Sequence, residues 1–317
     1  MFLISLLLVN ILLVVIVKVY LKLSSGICKC SKHLVGKTVI VTGATKKIGY
    51  ETAINLAERG AKVIITSRDI GRGTDAKNDI IKKTGNENIY FHILDFRKLS
   101  SVKAFADKII KTEKRLDILI NNAGESVTSN NKTEDGLLEG MQINYFGPFL
   151  LTNLLIPLLK SSAPSRIINV SAMAHQTADL KLTDLNMECS KFNAAEVYRR
   201  AKLCTVMMTF ELSRILQDNR VTVNCLHPGF TGSNHPNDMI NKVDKLFMPI
   251  VNFFFKTPWE GAQTSIYLAV SPEVSRVTGR YFRDCHEAKT NSLARDVDLA
   301  RQLWDISMKY VKLDDKS

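Results

Sequence analysis

The feature that most constrains this chain is an alternation that begins at Lys37. Short runs of β-branched and apolar residues at 38–42, 62–67, 89–94, 116–120, 166–171 and 221–226 are separated by stretches of helical periodicity, the first starting at Ile48. Strands that are apolar throughout have no face to offer to water, so runs of this kind between helices predict a parallel sheet covered on both sides. The expected fold is α/β, a doubly wound parallel sheet. No internal repeat, low-complexity tract or Pro/Gly-rich linker divides it, so residues 37–317 read as one domain. With 317 residues, 45% hydrophobic and 23% charged, the chain can build a full core, which excludes a disordered polymer and a disulfide-stapled miniature.

Ahead of the domain, residues 1–17 carry no charged side chain, and the apolar character resumes after Lys18 as far as Leu23. A helix needs about 20 such residues to cross a bilayer. Residues 1–23 are therefore expected to be a transmembrane anchor and 24–36 a basic juxtamembrane linker. A cleaved signal peptide competes with this reading, but it wants positive charge before the apolar run and small residues at a cleavage site. Here Lys18, Lys22, Lys29, Lys32 and Lys37 all follow the run, which by the positive-inside rule leaves the body of the chain cytosolic. The endoplasmic reticulum is the expected membrane, and the acceptor patterns at Asn131 and Asn169 would stay unglycosylated.

The formal charge, 43 − 31 = +12, lies partly beside the anchor, where it suits anionic membrane lipid. The other basic residues show no aromatic interleaving and no helix-turn-helix pattern, which argues against nucleic acid. Six cysteines without a regular framework suggest no structural zinc, and no metal site is expected. Cys28 and Cys30, just after the apolar run, are either plain thiols or acylation sites.

The first predicted strand runs into Thr42-Gly-Ala-Thr-Lys-Lys-Ile-Gly49 and then a helix. Gly43, Thr45, Lys46, Lys47, Ile48 and Gly49 would thus form a turn whose amides and helix N-terminus can hold a pyrophosphate. The second strand ends Thr66-Ser67-Arg68. An acidic residue near this point would bond a ribose 2′-hydroxyl, whereas a 2′-phosphate wants cations. Arg68 offers a planar fork, with Lys46 and Lys47 as point charges, so NADP(H) is the expected cofactor. The alternative leaves Arg68 solvated and puts Asp69 on the ribose.

Further motifs follow in order: Asn121-Asn-Ala-Gly124 after the fourth strand, Asn144 opening an Asn-x-x-Gly step, Tyr198-Arg-Arg-Ala-Lys202 on a long helix, and His227-Pro-Gly229 after the sixth strand. Together with the turn they resemble the short-chain dehydrogenase/reductase family over residues 37–282. Lys256-Thr-Pro-Trp-Glu-Gly-Ala-Gln-Thr-Ser265, with Gly279-Arg-Tyr-Phe282 and Asp284-Cys285, more narrowly resembles the microsomal retinol dehydrogenase branch, which typically has an N-terminal anchor. The resemblance implies a Rossmann fold in which Asp95 meets the adenine and Asn122, with Ala123 and Gly124, the middle of the cofactor. It adds Pro228, Gly229 and Ser233 to the cofactor side, the serine standing where a threonine is expected. It also implies that Lys202 holds the nicotinamide ribose and that Asn144 supports a water-mediated proton path.

Tyr198 and Lys202, four residues apart, share a helical face. A phenol with a pKa of about 10 is a poor acid or base at neutral pH, and a neighbouring ammonium lowers that value. Tyr198 could then move a proton to or from a substrate oxygen while hydride passes at the nicotinamide. In isolation such a pair is usually a surface pair; the family order is what makes it a site.

Two departures stand out. Where the family reads Asn-Val-Ser-Ser, its second serine holding the substrate oxygen, this chain reads Asn169-Val-Ser-Ala172. Successive strand residues point to opposite faces, so Ser171 replaces the missing hydroxyl only if the strand end bulges or turns by one residue. Lys47 stands where the family's turn has its middle glycine. It either crowds the cofactor or adds a phosphate contact, as the matching basic residue of the NADPH-using pteridine reductases suggests.

The apolar stretch 246–255 is either a helix packed on the core or a lid that admits lipid-dissolved substrates. The expected function is a membrane-anchored NADP(H)-dependent oxidoreductase interconverting a lipophilic alcohol and its aldehyde or ketone, with a retinoid as the typical substrate. The alternative is a catalytically impaired NADPH-binding membrane protein. A homodimer is left open.

Overall fold

The computed structural model describes residues 24–189, 191–231 and 255–313, and of the first 23 only Leu12, Leu13, Val15, Ile16, Lys18, Val19 and Lys22. The expected anchor thus lies mostly outside the described residues, as do Ser233 and, apart from Phe255, the apolar stretch 246–255. Among the described residues no helix is long and apolar enough to cross a membrane.

Strand and helix alternate as expected. The first half comprises β1 (Thr38–Val41), α1 (Lys47–Glu58), β2 (Lys62–Ser67), α2 (Ile70–Thr84), β3 (Ile89–Ile93), α3 (Leu99–Thr112) and β4 (Ile118–Asn121). A short helical turn, Glu139–Met141, and a π-helical turn, Gln142–Phe146, lead into α4 (Gly147–Ser161). There follow β5 (Ser165–Val170), α5 (Ala194–Ile215), β6 (Val221–His227), α6 (Pro258–Val270), β7 (Arg280–Arg283), β8 (His286–Glu287) and α7 (Val297–Tyr310). The strands lie in the order β3-β2-β1-β4-β5-β6-β7-β8. All neighbours are parallel except β7 and β8. The last two strands were not among the six expected, because Arg280-Tyr-Phe-Arg283 is short and charged at both ends.

Strand alternation sorts the core into two layers. Ile40, Ile64, Leu119, Ile167 and Val223 pack under α3, α4, α5 and α7. Their neighbours Val39, Val41, Val63, Ile65, Ile120 and Ile168 pack under α1, α2 and α6. Each such side chain, fully withdrawn from water, contributes about 1.5–3 kcal/mol. This two-sided burial is the reason β1, β2 and β4 read as largely apolar runs, whereas edge strand β3 leaves Tyr90 and Ile93 exposed. Helix ends are set locally: Asn193 caps α5 by accepting from the Ala195 and Glu196 amides, and Thr257 and Glu260 form a capping box on α6.

The segment before β1 lies on the domain surface. The Cys28 amide donates to Gln263 Oε1 at 3.1 Å, the Cys30 thiol lies 3.6 Å from the Val270 carbonyl, and Leu34 is buried. Gly26 comes so close to Asp284 that an added Cβ would sit 1.9 Å from its carbonyl oxygen. Both cysteines are partly buried, and burial raises the Cys28 thiol pKa.

The start of β1 is held by Asp117, which is 3% exposed. Its carboxylate accepts from Arg115 Nε at 2.7 Å and Nη2 at 2.6 Å, and from the Thr38 amide and Lys37 Nζ, both at 2.9 Å. Burial alone would raise its pKa, but the hydrogen bonds from Arg115, Thr38 and Lys37 outweigh it and hold the group below its usual 3.8. A carboxyl with a depressed folded-state pKa stabilises fully above its unfolded value and loses that contribution as pH falls through the folded one. Asp117→Asn should therefore cost about 2–3 kcal/mol at pH 7, several degrees in the thermal midpoint, with the deficit shrinking below about pH 4. Equal midpoints at pH 7 would remove Asp117 as the tether.

Candidate active site

The chain crosses over between β1 and β4, and a cleft of about 830 Å³ opens there, outside the carboxyl ends of the strands. Onto its walls the fold brings Gly43, Thr45, Lys46, Lys47, Ile48 and Gly49 from the β1–α1 turn, Arg68 and Asp95 from beyond β2 and β3, Asn122, Ala123 and Gly124 from beyond β4, and Tyr198 from α5. Asn144, Ser171 and Lys202 are buried and do not line it. Pro228 and Gly229 lie outside the lining as well, whereas Thr231 belongs to it.

Asn122 ties the turn to β4: its amide donates to Thr42 Oγ1 at 3.0 Å, and its Nδ2 to the Thr42 carbonyl at 2.9 Å. This closeness dictates the glycines. Gly43 sits at φ +64° with room for a Cβ only 2.9 Å from Ala123 Cα, and a Cβ on Gly49 would lie 2.3 Å from Asn122 Nδ2. Lys47 sits at φ +53°, left-handed backbone that favours glycine. At the N-terminus of α1 no side chain supplies a cap and the first turn has no acidic residue. Its leading amides, the positive end of the helix dipole and Lys46 and Lys47 on the cleft wall together suit an anion such as a pyrophosphate.

At the cleft's other charged wall, Arg68 Nη1 pairs with Glu125 Oε2 at 3.2 Å, and Arg97 Nη2 meets Glu125 Oε1 at 3.1 Å. Asp69 is spent on α2, where its side chain accepts from the Arg72 amide at 2.9 Å as the N-cap. Sequence reasoning passed over Glu125 and Arg97 because Arg68 lies 57 and Arg97 28 residues from Glu125, beyond any local pattern.

Directly behind Gly124 stand two buried polar groups. A Cβ added there would come within 3.0 Å of Asn144 Oδ1 and 3.1 Å of Lys202 Nζ. Asn144 lies in the π-helical turn, a feature frequent at functional sites. Its Nδ2 donates to the Gly140 and Glu125 carbonyls, each at 2.8 Å, and its Oδ1 accepts from the Glu125 amide at 3.0 Å. Lys202 Nζ donates to the Val170 carbonyl at 3.0 Å and stands 5.5 Å from the Tyr198 ring centre.

The electrostatics differ from the expectation that Lys202 draws the phenol's pKa down. Desolvation pushes Tyr198 up to about 12 and Lys202 down to about 8. The ammonium is directed at a strand carbonyl rather than at the phenol oxygen, so burial decides both groups. Ser171 also differs from the role considered for it. Its amide continues the ladder by donating to the Leu226 carbonyl at 2.8 Å, so the strand end does not bulge, and its Oγ donates to the Lys202 carbonyl at 2.9 Å. The hydroxyl is turned into the protein and does not line the cleft. Ala172 is extended, and its carbonyl accepts from the His175 amide at 3.2 Å and from His175 Nδ1 at 2.7 Å.

A doubly wound sheet with a turn suited to an anion at its switch point defines a dinucleotide-binding domain, and Tyr198 puts a phenol on the wall of the same cleft. The chain belongs to the short-chain dehydrogenase family, whose model matches residues 37–243. It falls in the retinol dehydrogenase branch of that family, nicotinamide-dependent oxidoreductases. It is 44% identical to retinol dehydrogenase 14 of Homo sapiens, over 88% of this chain and 87% of that one. Retinol dehydrogenase 13 of Mus musculus is 42% identical over 92% and 88% of the two chains. Among solved structures, Pseudomonas aeruginosa RhlG in an active-site complex with NADP is 25% identical with a TM-score of 0.62, covering 79% of this chain and 95% of that one.

Lys47 can be tested directly. Left-handed backbone costs a residue with a Cβ about 1–2 kcal/mol, part of which glycine returns as unfolded-chain entropy. Lys47→Gly should raise the thermal midpoint by about 2 °C and, by losing a point charge, weaken NADPH binding about two- to five-fold in a fluorescence titration. Tighter binding would show instead that the side chain crowds the cofactor.

Proposed function

We propose that the chain is a membrane-anchored, NADP(H)-dependent enzyme that interconverts a lipophilic alcohol and its aldehyde or ketone, with retinoids as the substrate class. The observation that carries this reading is Tyr198, the one phenol among the described residues on the cleft wall, facing the same cavity as the anion-binding turn. The residues present fit a dinucleotide: uncapped helix amides and lysines for its pyrophosphate, Arg68 for a 2′-phosphate, Asp95 for the adenine end. When bound, the nicotinamide supplies or accepts hydride at the substrate carbon.

The chain's own residues handle the proton. Tyr198, its pKa raised by burial, holds its proton at neutral pH and donates it to the substrate oxygen in reduction. Lys202, buried beside it, stabilises charge that develops on the phenol, and the family resemblance adds the role of holding the ribose. Asn144, fixed by three hydrogen bonds behind Gly124, supports the path by which the proton is replaced. The substrate names of the retinol dehydrogenase relatives support a retinoid, and so does the apolar composition of 246–255.

A second reading, an impaired NADPH-binding protein, is favoured by one observation: Ala172 has no hydroxyl and Ser171 has committed its own to Lys202. Loss of a positioned donor costs on the order of 10²–10³ in rate. On the enzymatic reading, the full-length protein in detergent consumes NADPH with retinal, Tyr198→Phe abolishes this, and Ala172→Ser raises turnover by up to about 10²-fold. Turnover that survives Tyr198→Phe refutes the assignment, and a parent that is inert while Ala172→Ser is active establishes the second reading.

The anchor reading rests on the apolar run 1–17 and the lysines that follow it. Protease added to intact microsomes should digest the body of the protein. Full protection until detergent is added, or a glycan at Asn131, would place the domain in the lumen.

A further inference from the structure

Arg68 has a partner before any cofactor arrives. Its guanidinium reaches across the mouth of the cleft to Glu125, 57 residues on, at 3.2 Å. Both side chains line the cleft and both are about half exposed, 48% and 43%. Among the described residues Glu125 is the one carboxylate paired with Arg68, whereas Arg97 also meets Asp95 at 3.9 Å and Glu139. The Glu125 backbone is immobilised at both its amide and its carbonyl by Asn144. The carboxylate is thus held from a rigid point at the place where Arg68 would meet an anion on the ribose.

We infer that Glu125 is a specificity-determining residue: its carboxylate occupies Arg68 as an internal stand-in for the 2′-phosphate, and NADP(H) binds by displacing it. This rests on the reading of Arg68 as the 2′-phosphate ligand. Two consequences follow from the geometry. Glu125 keeps the Arg68 fork extended across the cleft, and it lowers affinity for a 2′-phosphate, since that group must replace an existing ion pair and then sit near the released carboxylate. An exposed ion pair contributes about 0.2–1 kcal/mol, which corresponds to at most about a five-fold effect on a dissociation constant. The discrimination is therefore tuned by Glu125 and originates in Arg68.

The test uses the full-length protein in detergent and two probes that differ only in the phosphate, 2′-phospho-ADP-ribose and ADP-ribose, with dissociation constants from calorimetry and no turnover involved. Glu125→Gln keeps the backbone contacts with Asn144, and an unchanged thermal midpoint verifies its folding. The ratio of the two dissociation constants should shift about three- to five-fold further toward 2′-phospho-ADP-ribose in Glu125→Gln, and adding Arg68→Ala should erase the shift. An unchanged ratio, or one shifted toward ADP-ribose, overturns the inference and makes Glu125 a support for Arg68. If the parent does not discriminate the probes but Glu125→Gln does, Glu125 masks Arg68: the inference stands and NADP(H) preference in the parent fails. If the parent prefers the phosphorylated probe and Glu125→Gln changes nothing, the preference stands and the inference fails.

Discussion

The site depends on the tie between β4 and the β1–α1 turn. Asn122 donates to the Thr42 and Gly43 carbonyls, and the Thr42 hydroxyl accepts from the Asn122 and Ala123 amides. These bonds hold the two strand ends together where the chain order reverses, and so they create both the cleft and its glycine requirements. Gly43 and Gly49 exist to let this approach happen, since a Cβ on either would strike Ala123 or Asn122. Asn122 is therefore a positioning residue whose amide and Nδ2 are already engaged by the turn.

The same economy governs the proton-handling end. Gly124 leaves space into which Asn144 and Lys202 press from behind, and the strand, helix and loop carbonyls of Val170, Gly140 and Glu125 take up their donors. Burial raises the Tyr198 pKa and lowers that of Lys202, leaving the phenol protonated and the amine still largely an ammonium at neutral pH. The local dielectric sets the resting state and magnifies the effect of any charge that later enters. Ser171 adds a second hydroxyl to this region, but it donates to the Lys202 carbonyl, bracing the helix that carries the pair.

Much of the fold was legible in the chain itself. Six strands were visible because strands buried in the sheet are rich in apolar and β-branched residues and alternate with helical periodicity, and the turn at residues 42–49 was visible because close backbone approach requires glycine at particular places. The seventh and eighth strands were not, because Arg280-Tyr-Phe-Arg283 is short with exposed charged ends and the edge strand beside it, His286–Glu287, has only two residues. Tyr198 and Lys202 were legible through helical spacing, yet the direction of their pKa shifts was not, because desolvation depends on what surrounds a group in space.

The sequence by itself determined the sheet, the anion-binding turn and the residue types able to move a proton, since each follows from periodicity or from a local steric demand. Tertiary structure alone decided which of these groups are already engaged by distant partners: Ser171 on a helix carbonyl, and Arg68 on Glu125 from across the cleft. The physical reason is that a hydrogen bond or ion pair joins atoms within about 3–4 Å whatever their separation along the chain, and only the folded backbone sets those distances.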